Sequence, residues 1–369
     1  MDFISSFQNL ISHSYEFAES FCVVNKSIMK LDEVEKMGWK EFGQQSVLNM
    51  PPKLYKYYPN TIDGEKGVNY SIQALKNNTV YLSSPTEFDD VYDSDLNVNM
   101  VYYSGYRIME YCNRCGIDTN SDVTGRDLVN ALAERLIEVH KETGDYSNAI
   151  TMEPDTEIKR LNNQVFFKRI ESVMNNTDDM VDAIISVIMT EYDDYTRHLR
   201  ETFRIACFTK SPLSQVMWGQ YANRHKGFCV EYSVNVSDER YKEILFNTHP
   251  MIYCKTRPEM AQRLAKAQDE EPTDESIWDI FSHGCLRKSI DWVFQDEWRL
   301  LLPKGVGKDT GYCVPFFPIT RVFLGNRMSE EERQIIIKIC NERQIPHVGV
   351  MKNPSTFDMI ESDDQSEEA

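Results

Sequence analysis

The stretch Glu297-Trp298-Arg299-Leu300-Leu301-Leu302 most constrains what this chain can become. It is an apolar run closed by Pro303 and Gly305, the pattern of a buried strand of four to eight residues. Yet it opens on Gln295, Asp296, Glu297 and Arg299. Desolvating a carboxylate costs several kcal/mol or shifts its pKa, so charges enter cores mainly in pairs. Glu297 is therefore either half of an ion pair, with Lys288 or Arg299 as partner, or a group with chemistry to do.

The rest of the chain supplies a frame for that strand. Lys53–Tyr58, Thr79–Ser84, Arg204–Thr209, Gly227–Tyr232, Met251–Cys254, Gly311–Pro315 and Ile319–Gly325 are short, rich in β-branched or aromatic residues and bounded by turn formers. Between 100 and 200 the character changes. Asp127–Lys141, Ile158–Val173 and Met180–Leu199 repeat apolar residues at helical spacing. Further helices are expected at Tyr70–Asn77, Ser214–Ala222, Pro258–Phe281 and Ser329–Glu342, the last with a Ser329/Glu332 capping box. The expected class is α+β: a mixed, largely antiparallel β core with flanking helices and a helical insertion at about 100–200. Residues 1–50, with Phe3, Phe7, Leu10, Phe17 and Phe21 at helical spacing, are expected to form a helical arm ended by Pro51-Pro52. Residues 51–350 then form one domain, and 351–369 a disordered acidic tail.

Composition narrows the partners. With 41% hydrophobic and 11% aromatic residues the chain can fill a core, and its net charge of -18 opposes bulk attraction to nucleic acid or an anionic membrane. No apolar run approaches the ~20 residues that span a bilayer. The amino terminus lacks the pattern of a signal peptide. Nine dispersed cysteines suit a reducing compartment, so a cytoplasmic protein is expected. Cys112-Asn113-Arg114-Cys115 has no second pair to complete a zinc site and reads as two ordinary cysteines one turn apart. No P-loop, dinucleotide-binding, hydrolase-elbow or H-E-x-x-H motif occurs, and no metal is expected.

Three further features bear on function. The loop Thr86–Asp95 carries five acids just after a strand, a common address for function. Trp218 and Tyr221 share one helix face, as core residues or as a stacking wall for a flat ring. His225 follows in Arg224-His225-Lys226, as a loop residue or as a base or ligand.

In order, Leu54-Tyr55-Lys56-Tyr57, Phe88-Asp89-Asp90, Met217-Trp218 through Tyr221 to Gly227, and Trp292 with Glu297-Trp298-Arg299 resemble a widespread bacterial family catalogued as a domain of unknown function. Its members show L-Y-K-Y, F-N-D-P-F-D, M-W-x-x-Y-A-x-x-H-x-G and W-x-Y-E-x-E-W-R. Lys56, Ser83-Ser84 and Gln295-x-Glu297 are also similar in order to elements of ADP-ribosyltransferases, which carry Arg where Lys56 stands. That similarity implies NAD as substrate, with Glu297 stabilising the oxocarbenium ion and Gln295 orienting an unidentified acceptor. It implies Lys56, Tyr57, Ser83, Ser84, Trp218, Tyr221 and His225 near the cofactor, and by fold-level analogy a toxin or anti-phage effector. Two alternatives stand beside it. One is a non-enzymatic module binding a ligand or protein through the acidic loop and aromatic cluster. The other is a nuclease holding Mg²⁺ with Asp89, Asp90, Asp93 and Glu297.

Overall fold

The computed structural model describes residues 21–119, 124–152, 154–271, 273–305 and 311–362. They divide into two compact units, one of residues up to 93, 201–256 and from 286 onward, the other of 94–200 and 257–285. The class is α+β.

The first unit holds every described strand. They are β1 (Phe21–Val24), β2 (Ser27–Lys30), β3 (Lys53–Tyr58), β4 (Thr79–Ser83), β5 (Phe203–Thr209), β6 (Phe228–Ser233) and β7 (Thr248–Pro250). Then follow β8 (Ile252–Cys254), β9 (Arg287–Ser289), β10 (Glu297–Pro303), β11 (Gly311–Pro315), β12 (Ile319–Leu324), β13 (His347–Lys352) and β14 (Met359–Glu361). A small sheet runs β2-β1-β8-β9, and a large one β11-β4-β5-β3-β6-β12-β13-β14, with β10 paired to β5 and β7 to the far side of β10. Pairing is antiparallel except at β12–β13 and β8–β9.

Strand β5 is where the large sheet parts. Along one edge it pairs with β10 from Phe203↔Pro303 to Thr209↔Glu297. On the other it meets β4 only at Ile205 and β3 only at Thr209. The edge of β5 between those two bridges has no strand partner, and the gap opens beside Cys207. Below it, Leu54, Val230, Phe208, Phe316, Trp298, Leu300 and Leu302 pack into the main core. Alternation along β10 sends Trp298, Leu300 and Leu302 into that core and Glu297 and Arg299 to the opposite face.

The second unit is helical. Met100–Arg114, Gly125–Thr143, Glu157–Met174 and Met180–Thr202 supply its helices, with Ala261–Asp269 and Asp274–Cys285 from the later stretch. Its core joins Tyr111, Leu132, Leu136, Phe166, Ile184 and Ile188, and Cys112 and Cys115 are buried in it. Among the described residues no helix is long and apolar enough to cross a membrane.

Several sequence expectations change. Phe21 does not extend a helical arm: β1 and β2 form a hairpin, because Cys22-Val23-Val24 favours extended backbone and Asn25 and Lys26 take the positive φ of a tight turn. Phe3 to Phe17 lie outside the described residues. The tail does not begin at 351, since Met351 and Lys352 complete β13 and pair with β14. Residues 363–369 of that tail are also outside. The expected helix Pro258–Phe281 is two helices separated around Glu270 and Glu271, and the expected strand Met251–Cys254 is β8, preceded by a separate strand β7 that serves the other sheet.

One close approach locks the β3–β6 edge. A Cβ on Gly227 would lie 2.0 Å from the Tyr58 carbonyl oxygen, whereas one on Gly64 would meet nothing within 4 Å. Gly227→Ala should therefore destabilise by at least ~1–3 kcal/mol in urea unfolding, while Gly64→Ala should stay within about 0.5 kcal/mol of wild type.

Candidate functional site

The opposite face of β10 looks into a cleft of about 210 Å³ at the parting of the sheet, lined from β3, β5, β9, β10 and the loop after β4. Its floor is a closed ring of charges. Arg299 donates from Nε to Glu297 Oε1 at 2.7 Å and through both Nη atoms to Asp93, at 2.8 and 2.5 Å. Lys288 Nζ lies 3.1 Å from Glu297 Oε2 and 3.3 Å from Asp93 Oδ2. Two cations thus alternate with two carboxylates, all nearly removed from solvent. Arg299 is 0% exposed, Glu297 6% and Asp93 8%. Both pairings that the sequence offered for Glu297 occur together.

The ring decides the charge states. Burial by itself raises the Glu297 carboxyl, but Arg299 and then Lys288 outweigh it and hold that group below the usual glutamate range. Burial likewise lowers Lys288, and Glu297 together with Asp93 brings it above the ordinary lysine value. The ring thus favours the charged forms of Glu297, Lys288 and Arg299.

Position follows from local structure. Asp296 takes a left-handed φ of 46° and turns the chain from the 3₁₀ segment Ile290–Gln295 into β10. Lys26, at the tip of the hairpin, and Lys210 reach Asp296 at 3.1 and 3.3 Å. The Glu297 amide donates to the Tyr253 hydroxyl at 2.9 Å. Gln295 is 2% exposed. Its Oε1 accepts from Lys288 at 2.9 Å and its Nε2 donates to the Tyr221 hydroxyl at 2.6 Å. Aromatic rings close the walls: Tyr55, Tyr57, Phe88, Phe208, Tyr221 and Trp292. Two of them face the cations, with Lys288 Nζ 5.0 Å from the Trp292 ring centroid and Arg299 Cζ 5.2 Å from that of Phe88.

Of the residues singled out in the sequence, Glu297, Gln295, Lys56, Tyr57 and Tyr221 line this cleft. Ser83, Ser84, Trp218 and His225 are not among its lining. Ser83 is paired on β4, its hydroxyl 3.5 Å from the Ile205 carbonyl. Ser84 caps the turn Pro85–Glu87 and bonds to Thr86, so it shapes the loop that carries Phe88 without facing the cleft. Trp218 is 0% exposed, donates to the Pro212 carbonyl at 2.8 Å and stands edge-on to Tyr57 at 5.2 Å. It backs the wall rather than forming it. His225 sits at φ 71° in the turn after the helix Gln215–Tyr221, which carries Trp218. Burial lowers its pKa, and Arg327 and Lys352 lower it further. The helix face that suggested an aromatic wall therefore contributes Tyr221 alone, together with Met217.

Reasoning from sequence assigned no site role to Tyr55, Cys207, Thr209 or Met217, although Tyr55 and Met217 stand inside the L-Y-K-Y and M-W-x-x-Y motifs. Among the described residues no three His, Cys, Asp or Glu side chains converge as metal ligands. In the proposed Mg²⁺ set, Asp93 and Glu297 already bind Arg299 and Lys288.

Residues 217–300 match the family model "Protein of unknown function (DUF2971)". The DUF2971 stretch supplies Met217, Tyr221, Lys288, Trp292, Gln295, Glu297 and Arg299 to the cleft. No curated protein and no solved structure matches the chain.

The ring makes a prediction about acid. A carboxyl depressed in the folded state contributes stability above its unfolded pKa, ~4.3 for glutamate, and loses it as pH falls through the folded value. Glu297→Gln should lower stability at pH 7 by ~3–5 kcal/mol, the cost of breaking a buried pair. It should also flatten the loss of stability below about pH 4. Urea midpoints for both proteins between pH 7 and 2 test this; equal acid slopes would refute it.

Proposed function

We propose that the cleft is a ribosyl-transfer site that takes NAD and cleaves its nicotinamide–ribose bond. The observation that supports this reading is the place of Glu297: an ionised carboxylate on the floor of a cleft walled by aromatic rings. As the C–N bond breaks, positive charge develops on the ribose, and a carboxylate held in a dry, preorganised setting stabilises it. The nicotinamide ring leaves against Tyr57 and Tyr221, and water or another nucleophile completes the transfer. A cleft of about 210 Å³ encloses a ring and its sugar, below the ~300–1,000 Å³ that surrounds a drug-sized ligand. The adenosine half would lie outside. The nine cysteines are free thiols, in keeping with action in a reducing cytosol. An effector role inside bacteria rests on analogy alone.

A second reading is favoured by one observation. Both oxygens of Glu297 and both ends of the Gln295 amide are engaged inside the protein. A site so satisfied suits a binding module that recognises a flat ligand without turning it over. That module would bind NAD or another ring compound with Glu297 serving only as ballast for Arg299 and Lys288.

The two readings separate in one assay. Purified protein is incubated with NAD and nicotinamide release is followed, for wild type and for Glu297→Gln, per folded molecule as judged by circular dichroism at the assay temperature. Transfer predicts release by wild type and a loss of about 10²–10³-fold in the variant, the size of one electrostatic stabiliser. No release by wild type, or equal release by both, would overturn it.

A further inference from the structure

Two lysines face this cleft, and their surroundings treat them oppositely. Lys288 stands between Glu297 and Asp93, and those carboxylates hold its ammonium charged. Lys56, half-buried on β3, forms no ion pair among the described residues. Its Nζ donates to the Cys207 carbonyl at 3.1 Å, in the parting between β3 and β5. The same nitrogen lies 5.5 Å from the centroid of Phe208 and 5.9 Å from that of Tyr58. Burial lowers its pKa, and Cys207 and Glu297 restore it only in part.

A backbone carbonyl needs a single N–H from that nitrogen. A neutral amine would keep one further N–H and its lone pair for whatever enters the cleft. Desolvation beside aromatic rings, with no carboxylate in direct ion-pair contact, is the setting in which lysine becomes a nucleophile. Where two like groups in one site have their pKa values pushed in opposite directions, they are suited to opposite tasks.

We propose that Lys56 is a reactive amine that captures small, flat carbonyl compounds in this cleft as an imine. The amine nitrogen bonds to the carbonyl carbon, giving a carbinolamine. The carbonyl oxygen then leaves as water, carrying both amine protons, as the C=N bond forms. Nothing is oxidised or reduced. The walls of Tyr57, Phe208 and Tyr221 select flat compounds, and a volume of about 210 Å³ limits their size. This activity uses a different residue from nicotinamide release and stands or falls apart from it.

The test treats the full chain with salicylaldehyde and sodium cyanoborohydride between pH 6 and 10, then maps reduced adducts by peptide mass spectrometry. Exposed Lys66 is the internal reference. At pH 7 Lys56 should be labelled several-fold faster than Lys66, as an amine desolvated beside aromatic rings is activated over one in water. Its rate should also level off at lower pH. Lys56→Arg, checked for folding by its thermal melt, should lose that adduct and keep the adduct at Lys66. Labelling of Lys56 no faster than Lys66, or with the same pH profile, would overturn the proposal. Because wild type alone carries that comparison, a poorly folding variant does not spoil it.

Discussion

The ring Asp93–Arg299–Glu297–Lys288 is the interaction on which the first unit depends. Each member would be costly to bury alone, because desolvation of a charge in a protein interior amounts to several kcal/mol. Together they cancel, and the fork of Arg299 holds Asp93 through two hydrogen bonds. The ring ties β9, β10 and the loop after β4 to one point. It also explains how a strand as apolar as Leu300-Leu301-Leu302 can begin with ionised groups: alternation gives one face to the core and the other to the ring.

The cleft exists because β5 is shared. A strand that pairs fully on one side with β10, and is divided between β4 and β3 on the other, leaves a stretch of backbone unpaired. Buried backbone carbonyls demand partners. Cys207 finds one in a side chain, Lys56, instead of a strand. The thiol of Cys207 is pushed up to about 12 by burial, so it is an inert wall in its ordinary state.

Much of this was legible in the sequence where period and position agree. The antiparallel β core, the helical segment after residue 100 and the placing of Glu297 at the mouth of a buried strand all follow from patterns of two and 3.6 residues. The partners of Glu297 were readable as well, since residue 299 must share its face and Lys288 is close in the chain. Other features leave no such trace. Trp218 and Tyr221 share a helix face, yet one is sealed against Pro212 and the other reaches Gln295; periodicity assigns a face, not a depth. Ser83 lies on a strand that meets β5 at a single residue, and where a sheet parts is set by tertiary packing. The hairpin at Asn25-Lys26 was hidden because Phe17 and Phe21 happen to be four residues apart. Chemistry was least legible, because a buried Glu–Arg pair has one appearance in sequence whether it binds, reacts or merely holds.

The span of the ring has a consequence for biosynthesis. Asp93 and Arg299 are separated by 206 residues. At ~5–20 residues per second of translation, Asp93 is made about 10–40 s before its partner exists. During that interval the loop after β4 carries an acid whose arginine partner has not been made, and β3 gains β5 and β6 only once residues 209 and 233 exist. The cleft therefore cannot assemble on a chain that stops short of Arg299, and a nascent polypeptide is without its site until that residue has been made.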